Sequence, residues 1–110
     1  MKPVDLFTST HALLYDRVRL AIMATLAAVP GPVDFKTLLS SLNLTKGNLA
    51  SHIRKLEEGK LLVVTKEFVG RKPRTTYHCT GLGLMEVRQY LENVESVLKT
   101  TLQEADDEHT

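Results

Sequence analysis

The stretch "FKTLLSSLNLTKGNLASHIRKLEEG", Phe35 to Gly59, contains two short segments that are each apolar on one side. Asp34 precedes the first segment and Thr45 precedes the second, and both residue types cap helix N-termini. Gly59 follows the second segment, where a glycine commonly ends a helix. Apolar side chains recur at helical spacing in the first segment: Phe35, Leu38, Leu39 and Leu42. Two helices joined by about three residues are the outline of a helix-turn-helix.

The residues before this motif predict a longer helix. Residues 17–29, "RVRLAIMATLAAV", carry apolar side chains at i, i+3, i+4 and i+7, and Asp16 is placed to cap them. The "PGP" at 30–32 ends the helix, because proline cannot donate a backbone hydrogen bond. Val29 is expected on the buried side, and residues 4–14 are expected to form a short helix or an ordered arm.

The residues after the motif change to a period of two. The segments "LLVVTKEFV" (61–69) and "TTYHC" (75–79) predict antiparallel strands, and the stretch between them predicts a hairpin tip. Pro73 is expected to stiffen this tip, which presents three cations: Arg71, Lys72 and Arg74. Thr80 is expected to cap a final helix from about residue 81 to 104.

These elements predict an α+β fold that is mainly α. It is a winged helix-turn-helix, in which a three-helix core carries a β-hairpin wing and a long C-terminal dimerisation helix. The length of 110 residues, 43% of them apolar, fits one domain. We expect an arm at 1–15, the helix-turn-helix and wing at 16–79, the last helix at 80–104 and a frayed tail at 105–110.

The charge of the chain is unevenly distributed, although the net charge is only +1. Residues 43–74 contain eight Lys or Arg against three acidic residues, whereas residues 80–110 contain two against seven. This distribution predicts a polyanion partner for the middle of the chain.

The second helix of the motif has one face suited to nucleic acid. With Leu49, Ile53 and Leu56 buried, the opposite face is small, polar and cationic, and such side chains donate to phosphates and read base edges. Its members are Gly47, Asn48, Ser51, Arg54 and Lys55, with Lys46 and His52 at the edges. A solvated helix face is the alternative. Gly47 disfavours the helix, and close approach to the preceding helix or to a phosphate could compensate.

The last helix carries an apolar seam with alternating spacings of three and four. The seam predicts a homodimer, and its members are Leu84, Val87, Leu91, Val94, Leu98 and Thr101. The alternative is packing on the same domain, for which Leu82, Met85 and Tyr90 are candidates. The 4–14 arm could contribute to the dimer.

Several kinds of site find no support in the sequence. The four histidines are dispersed and no local set suggests a catalytic triad or a phosphate loop, so we expect no enzyme, no metal and no cofactor. Cys79 is expected to be a small buried thiol, His78 to face outward, and Met23 and Met85 to lie in the core. No segment predicts a membrane span or a signal core, which favours a cytoplasmic protein.

The order of elements is more specific than any one of them. The segments "RLAIMATL", "FKTLLSSLNLTKGNLASHIRKLEEGKLL" and "KEFVGRKPRTTYHCTGLG", with the following helix, resemble small winged-helix transcriptional regulators of the MarR/ArsR-like superfamily over roughly residues 14–95. The resemblance implies a dimeric regulator whose second motif helix enters the major groove while its wings contact flanking DNA.

Two departures from the family pattern leave any small-molecule effector open. The helix-turn-helix lacks the cysteines of metal-binding relatives, and the chain is shorter than typical MarR proteins. With two-fold symmetry, the double-stranded DNA partner would carry a roughly palindromic operator. The alternative function is a winged-helix protein–protein interaction module whose basic surface meets an acidic partner.

Overall fold

The computed structural model describes the backbone of residues 11–108 and the side chains of residues 11–103. The predicted arm at 4–14 therefore falls mostly outside the described residues. A 3₁₀ helix at its end, Ala12–Tyr15, precedes four helices and three strands. These are α1 (Arg17–Ala28), β1 (Val33–Asp34), α2 (Phe35–Leu42), α3 (Lys46–Glu58), β2 (Leu62–Val69), β3 (Lys72–Cys79) and α4 (Gly81–Glu108). The predicted winged helix-turn-helix is confirmed, and α4 continues beyond its expected end at residue 104.

All four predicted helix caps are present. The Asp16 carboxylate accepts hydrogen bonds from the backbone N–H of Val18 and Arg19, at 2.8 and 3.0 Å. At the other three starts, the caps accept from the third residue along: Asp34 from Thr37, Thr45 from Asn48 and Thr80 from Gly83. The backbone hydrogen bond from Arg19 is the main cause that lowers the pKa of Asp16.

One core joins the helices to the base of the sheet. Ile22, Met23 and Leu26 of α1 are buried within it, together with residues of the other elements: Leu14, Val33, Leu38, Leu49, Ile53, Leu56, Leu61, Leu62, Tyr77, Cys79 and Val87. The prediction for Met23 is confirmed. Val29 is exposed instead of buried, because α1 ends at Ala28 and the chain turns away there.

Two other residues expected to pack inward are exposed. Met85 exposes 58% of its surface, so its predicted place in the core is wrong, and Leu82, a candidate for packing on its own domain, is also exposed. Leu84 packs against the core, and Met85 is turned by about 100° around α4 from Leu84, away from the core. Tyr90 is half-buried.

The sheet is antiparallel in the order β1-β3-β2. The β2–β3 register runs from Leu62 opposite Cys79 to Val69 opposite Lys72, so the turn contains only Gly70 and Arg71. Gly70 adopts a φ of 67°, the left-handed conformation that this tight turn needs.

The predicted hairpin tip is therefore too long. Lys72, Pro73 and Arg74 belong to β3 and not to the turn. β1 pairs with β3 only at Thr76 and Tyr77, so β2 is the one described strand beside Pro73. This placement explains how the strand tolerates a proline. Proline has no backbone N–H to donate, and no second described strand lies here to accept from it.

Helix α4 leaves the globular part of the molecule. Its start is held tightly, because a Cβ on Gly83 would collide with the Leu61 carbonyl and the backbone N–H of His11 donates to Glu86 at 2.9 Å. Its 28 residues span about 42 Å at 1.5 Å each. The molecule consequently measures 67 × 25 × 23 Å.

Candidate nucleic-acid interface

Helix α3 divides into a buried and an exposed face as predicted. Leu49, Ile53 and Leu56 are buried in the core. Six of the seven predicted contact residues are exposed together on the other side: Lys46, Gly47, Asn48, Ser51, Arg54 and Lys55. This face presents three cations and hydrogen-bonding side chains to solvent, in a form that a major groove admits.

Gly47 lies in the first turn of α3 with open space around it. A Cβ placed on its backbone would meet no atom within 4 Å among the described residues. The suggestion that Gly47 permits close packing against the preceding helix is therefore wrong. Of the two compensations considered, only close approach of a phosphate is left, beside the alternative of a solvated helix face.

His52 is placed differently from the other six. It is half-buried, and its Nδ1 lies 3.3 Å from Nη1 of Arg19 on α1. Because a guanidinium group only donates, a hydrogen bond between these two atoms requires that Nδ1 accepts. Arg19 also donates from Nε to the Leu13 carbonyl at 2.8 Å and lies 3.9 Å from Asp16. His52 thus ties α3 to α1, a role that the helical pattern alone did not reveal.

The three wing cations are exposed but not equivalent. Arg71 lies in the turn, whereas Lys72 and Arg74 lie on one face of β3. Arg74 is directly opposite Glu67 in the register, and its charge also contributes to lowering the pKa of Asp34, after the hydrogen bonds from Thr37. The sequence did not reveal that Glu67 faces Arg74, because the register of the two strands was not known.

A cleft of about 480 Å³ separates α3 from the sheet. Arg54 and Glu57 of α3 face Lys66 and Thr75 of the strands across it, and its apolar lining includes Ile53, Val64, Phe35 and Tyr77. The rings of Phe35 and Tyr77 are 6.3 Å apart, and burial raises the pKa of Tyr77. The cleft shows which face of the hairpin is turned towards α3.

The wing also exposes large apolar side chains that the sequence analysis did not single out. Phe68 exposes 76% of its surface and Val69 is exposed beside it. Phe68 is paired with Pro73 across the strands, so an aromatic ring and a proline stand together next to the turn. The alternating pattern of β2 predicted one buried face, but no element of the described chain covers this part of the hairpin.

The seam of α4 is only partly available for a partner. Val87 is buried and Leu84 packs against the core, so these two residues serve their own domain and not an open dimer surface. The exposed continuation comprises Leu91, Val94, Leu98 and Leu102. Leu102 follows the line of the stripe better than Thr101, whose hydroxyl donates to the Val97 carbonyl at 2.9 Å.

Other sequence expectations can be placed briefly. Cys79 is a buried thiol, as predicted, and burial raises its pKa. His78 faces outward, as predicted. In the described part of the chain, no three His, Cys, Asp or Glu residues are grouped so that they could hold a metal ion. None of the described helices is long and apolar enough to cross a membrane.

Comparison with known proteins agrees with this geometry. A family model described as a winged helix DNA-binding domain matches residues 18–98. The uncharacterized protein MJ0432 of Methanocaldococcus jannaschii is 30% identical over 82 residues, which cover 74% of this chain and 88% of that protein.

Solved structures share the same architecture. A transcriptional regulator homologue from Pyrococcus horikoshii OT3 is 32% identical and superposes with a TM-score of 0.76, over 87% of this chain and 92% of that one. Staphylococcus aureus MepR in its DNA complex has a TM-score of 0.72 at 16% identity, over 86% and 79% of the two chains. At that identity the likeness to MepR concerns the fold alone.

Proposed function

The chain belongs to the winged helix DNA-binding domain family, and from this premise we propose that it is a homodimeric transcriptional regulator that binds double-stranded DNA. In this proposal α3 enters the major groove and reads base edges, while Arg71, Lys72 and Arg74 contact the flanking backbone or minor groove. The observation that carries it is the exposed cationic face of α3 beside a cationic wing. The relatedness to a transcriptional regulator homologue at 32% identity supports it.

The charge distribution supports the same orientation. The seven acidic residues that follow residue 80 lie beyond the wing in the sequence, and all of them are on α4, which projects from the domain. A polyanion would be attracted to the α3 and wing side and repelled from α4. DNA and the proposed partner subunit would therefore use different surfaces.

The homodimer is supported by the uncovered stripe on α4. Its four exposed side chains, Leu91, Val94, Leu98 and Leu102, follow one another at spacings of three, four and four residues, on one side of the helix beyond the end of the core. Such a row of apolar side chains gains free energy when a second apolar surface covers it. Two-fold pairing would place two α3 helices about one DNA turn, ~34 Å, apart, which calls for a roughly palindromic operator.

A salt titration of DNA binding tests this function. With roughly 6–10 phosphate contacts per dimer, the affinity should fall by ~10³–10⁵ between about 50 and 200 mM salt. Binding would be measured by fluorescence anisotropy on duplexes selected by the protein from random-sequence DNA. Absence of binding at low salt, or affinity that ignores salt, would refute the proposal.

A charge reversal separates DNA binding from the protein-interaction alternative. Arg71→Glu should weaken DNA binding strongly, because it replaces a phosphate contact by a repulsive charge. Lys99→Glu, which reverses charge in the same sense at an exposed position on α4, serves as the comparison. If Arg71→Glu binds DNA as well as the unsubstituted protein, the wing is not a DNA contact and the acidic protein partner becomes the better hypothesis.

A further inference from the structure

The apolar wing tip, defined as Phe68 and Pro73, has no explanation within the described chain. Phe68 exposes 76% of its surface at the end of a hairpin that no other element covers. Burying a phenylalanine side chain is worth about 1.5–3 kcal/mol, so an exposed one at a projecting tip leaves that free energy available to a partner. Phe68 also lies outside the core cluster.

The apolar wing tip faces the same side as α3. Successive strand residues alternate between faces, and Val64 and Lys66 line the cleft against α3. Phe68 continues this series, and its cross-strand partner Pro73 shares its face. The tip therefore projects on the side of the sheet where the proposed DNA site lies.

The charges around the tip favour DNA over an apolar protein surface. Arg71 is in the adjoining turn and Lys66 lies two residues before Phe68 on the same strand face, and both are exposed. A minor groove is flanked by two phosphate backbones and has bases at its floor, so cations at the edge and an apolar centre match it. An apolar protein partner would have to desolvate these cations without a counter-charge.

We propose that Phe68, backed by Pro73, acts as a wedge that enters the minor groove and partly unstacks one base-pair step. Arg71 and Lys66 hold the flanking phosphates while the ring opens the step and kinks the duplex. This mode of reading favours steps that unstack readily, such as TA and CA/TG, at a position that α3 does not touch. The wedge rests on the proposed DNA-binding function and adds to it a second, shape-dependent source of specificity.

The test compares Phe68→Ala with Val69→Ala on a duplex selected from random-sequence DNA by the unsubstituted protein. Val69 is the matched control, because it is exposed in the neighbouring position but on the opposite face. Fluorescence of 2-aminopurine placed at successive steps reports unstacking, and end-to-end energy transfer reports bending. The unsubstituted protein and Val69→Ala should raise the fluorescence at one step and shorten the end-to-end distance.

Phe68→Ala should lose both signals and bind about 10- to 100-fold more weakly. Its salt slope should stay unchanged, because the ring neutralises no phosphate, whereas Arg71→Ala should reduce the slope by about 1 for each subunit of the dimer. Phe68→Leu should keep part of the bend. The fold can be checked by thermal unfolding, which an exposed side chain should leave unaltered.

The outcomes distinguish the wedge from the function on which it rests. If Phe68→Ala binds, bends and unstacks DNA like the unsubstituted protein, the wedge is overturned while DNA binding stands. If Phe68→Ala changes only the sedimentation mass, Phe68 contacts a second copy and the wedge is likewise overturned. If the unsubstituted protein selects no duplex, both proposals fail.

Discussion

Gly47 is a residue at which fold stability and DNA binding are expected to respond in opposite directions. It lies in the first turn of α3, and a Cβ there would meet nothing within 4 Å. Gly47→Ala should therefore raise the free energy of unfolding by about 0.5–1 kcal/mol, because alanine loses less backbone entropy in a helix. Urea unfolding of the two proteins measures this gain.

The same methyl group should weaken DNA binding. If the first turn of α3 closely approaches a phosphate, the added Cβ holds the backbone away from that phosphate and weakens the charge-assisted hydrogen bond between them. Such a bond is worth about 1.5–3 kcal/mol, which corresponds to roughly 10- to 100-fold in affinity. Gly81→Ala adds the same methyl group in the first turn of α4, where a Cβ would also meet no described atom within 4 Å, and is the control. Unchanged binding by Gly47→Ala would show that no phosphate lies close to this turn.

Asp16 should make the stability depend on acid pH. Its pKa is lowered mainly by the backbone hydrogen bond from Arg19, and the carboxylate caps α1. Asp16→Ala should cost about 1 kcal/mol at neutral pH through loss of the cap. Because the folded pKa is below the unfolded value of about 4, this contribution is complete above that value and disappears as pH falls through the folded pKa.

Urea unfolding at neutral and acid pH checks the expectation for Asp16. The difference between Asp16→Ala and the unsubstituted protein should be constant above about pH 5 and shrink below about pH 4. Asp16→Asn keeps an uncharged cap, so its own contribution should not vary with pH. A difference for Asp16→Ala that is the same at both pH values would contradict the role of the carboxylate.

At the scale of elements, α4 combines two functions along one stripe. Leu84 and Val87 attach it to the core, and the same line of side chains is bare from Leu91 onward. A heptad pattern predicts that a stripe exists but not where its own domain stops covering it. The division between attachment and proposed dimer surface was therefore not available from spacing alone.

The exposed part of this stripe can be tested with a single charge. Leu98→Lys should weaken dimerisation by roughly 10²–10⁴-fold, because each of two symmetric copies loses a buried leucine worth about 1.5–3 kcal/mol. Ser96→Lys adds the same charge to an exposed position off the stripe and should leave the association unchanged. Analytical ultracentrifugation gives the dissociation constants; equal values for the two variants would exclude this surface.

The other elements show why some predictions succeeded and some failed. The caps at Asp34, Thr45 and Thr80 depend on residues three positions away, and such local chemistry is visible in a sequence. The pairing of Arg74 with Glu67 and the contact of His52 with Arg19 depend on registers and packing between elements. Those relations require three-dimensional information that periodicity does not carry.

At the scale of the whole molecule, folding and association should be coupled. The radius of gyration is 17.2 Å, against about 13 Å for a compact domain of this size, since α4 extends beyond the core. If a second copy covers α4, the melting temperature should rise with protein concentration, because only the folded chain associates. Calorimetry over a hundredfold range of protein concentration measures this rise, and the melting temperature of Leu98→Lys should depend less on concentration. A melting temperature of the unsubstituted protein that does not change with concentration would contradict a dimer linked to folding.

The limited pairing of β1 has a mechanical consequence for the wing. β1 holds β3 only at Thr76 and Tyr77, and four further residue pairs, from Lys66–Thr75 to Val69–Lys72, extend past this support. The outer part of the hairpin therefore extends about 14 Å beyond the last residue pair with β1 and is supported only at that end. In the proposed DNA complex, bending near Thr75 would move Phe68 and Arg71 together while α3 stays fixed to the core. The tip would then follow grooves of different width without shifting α3 along the base pairs.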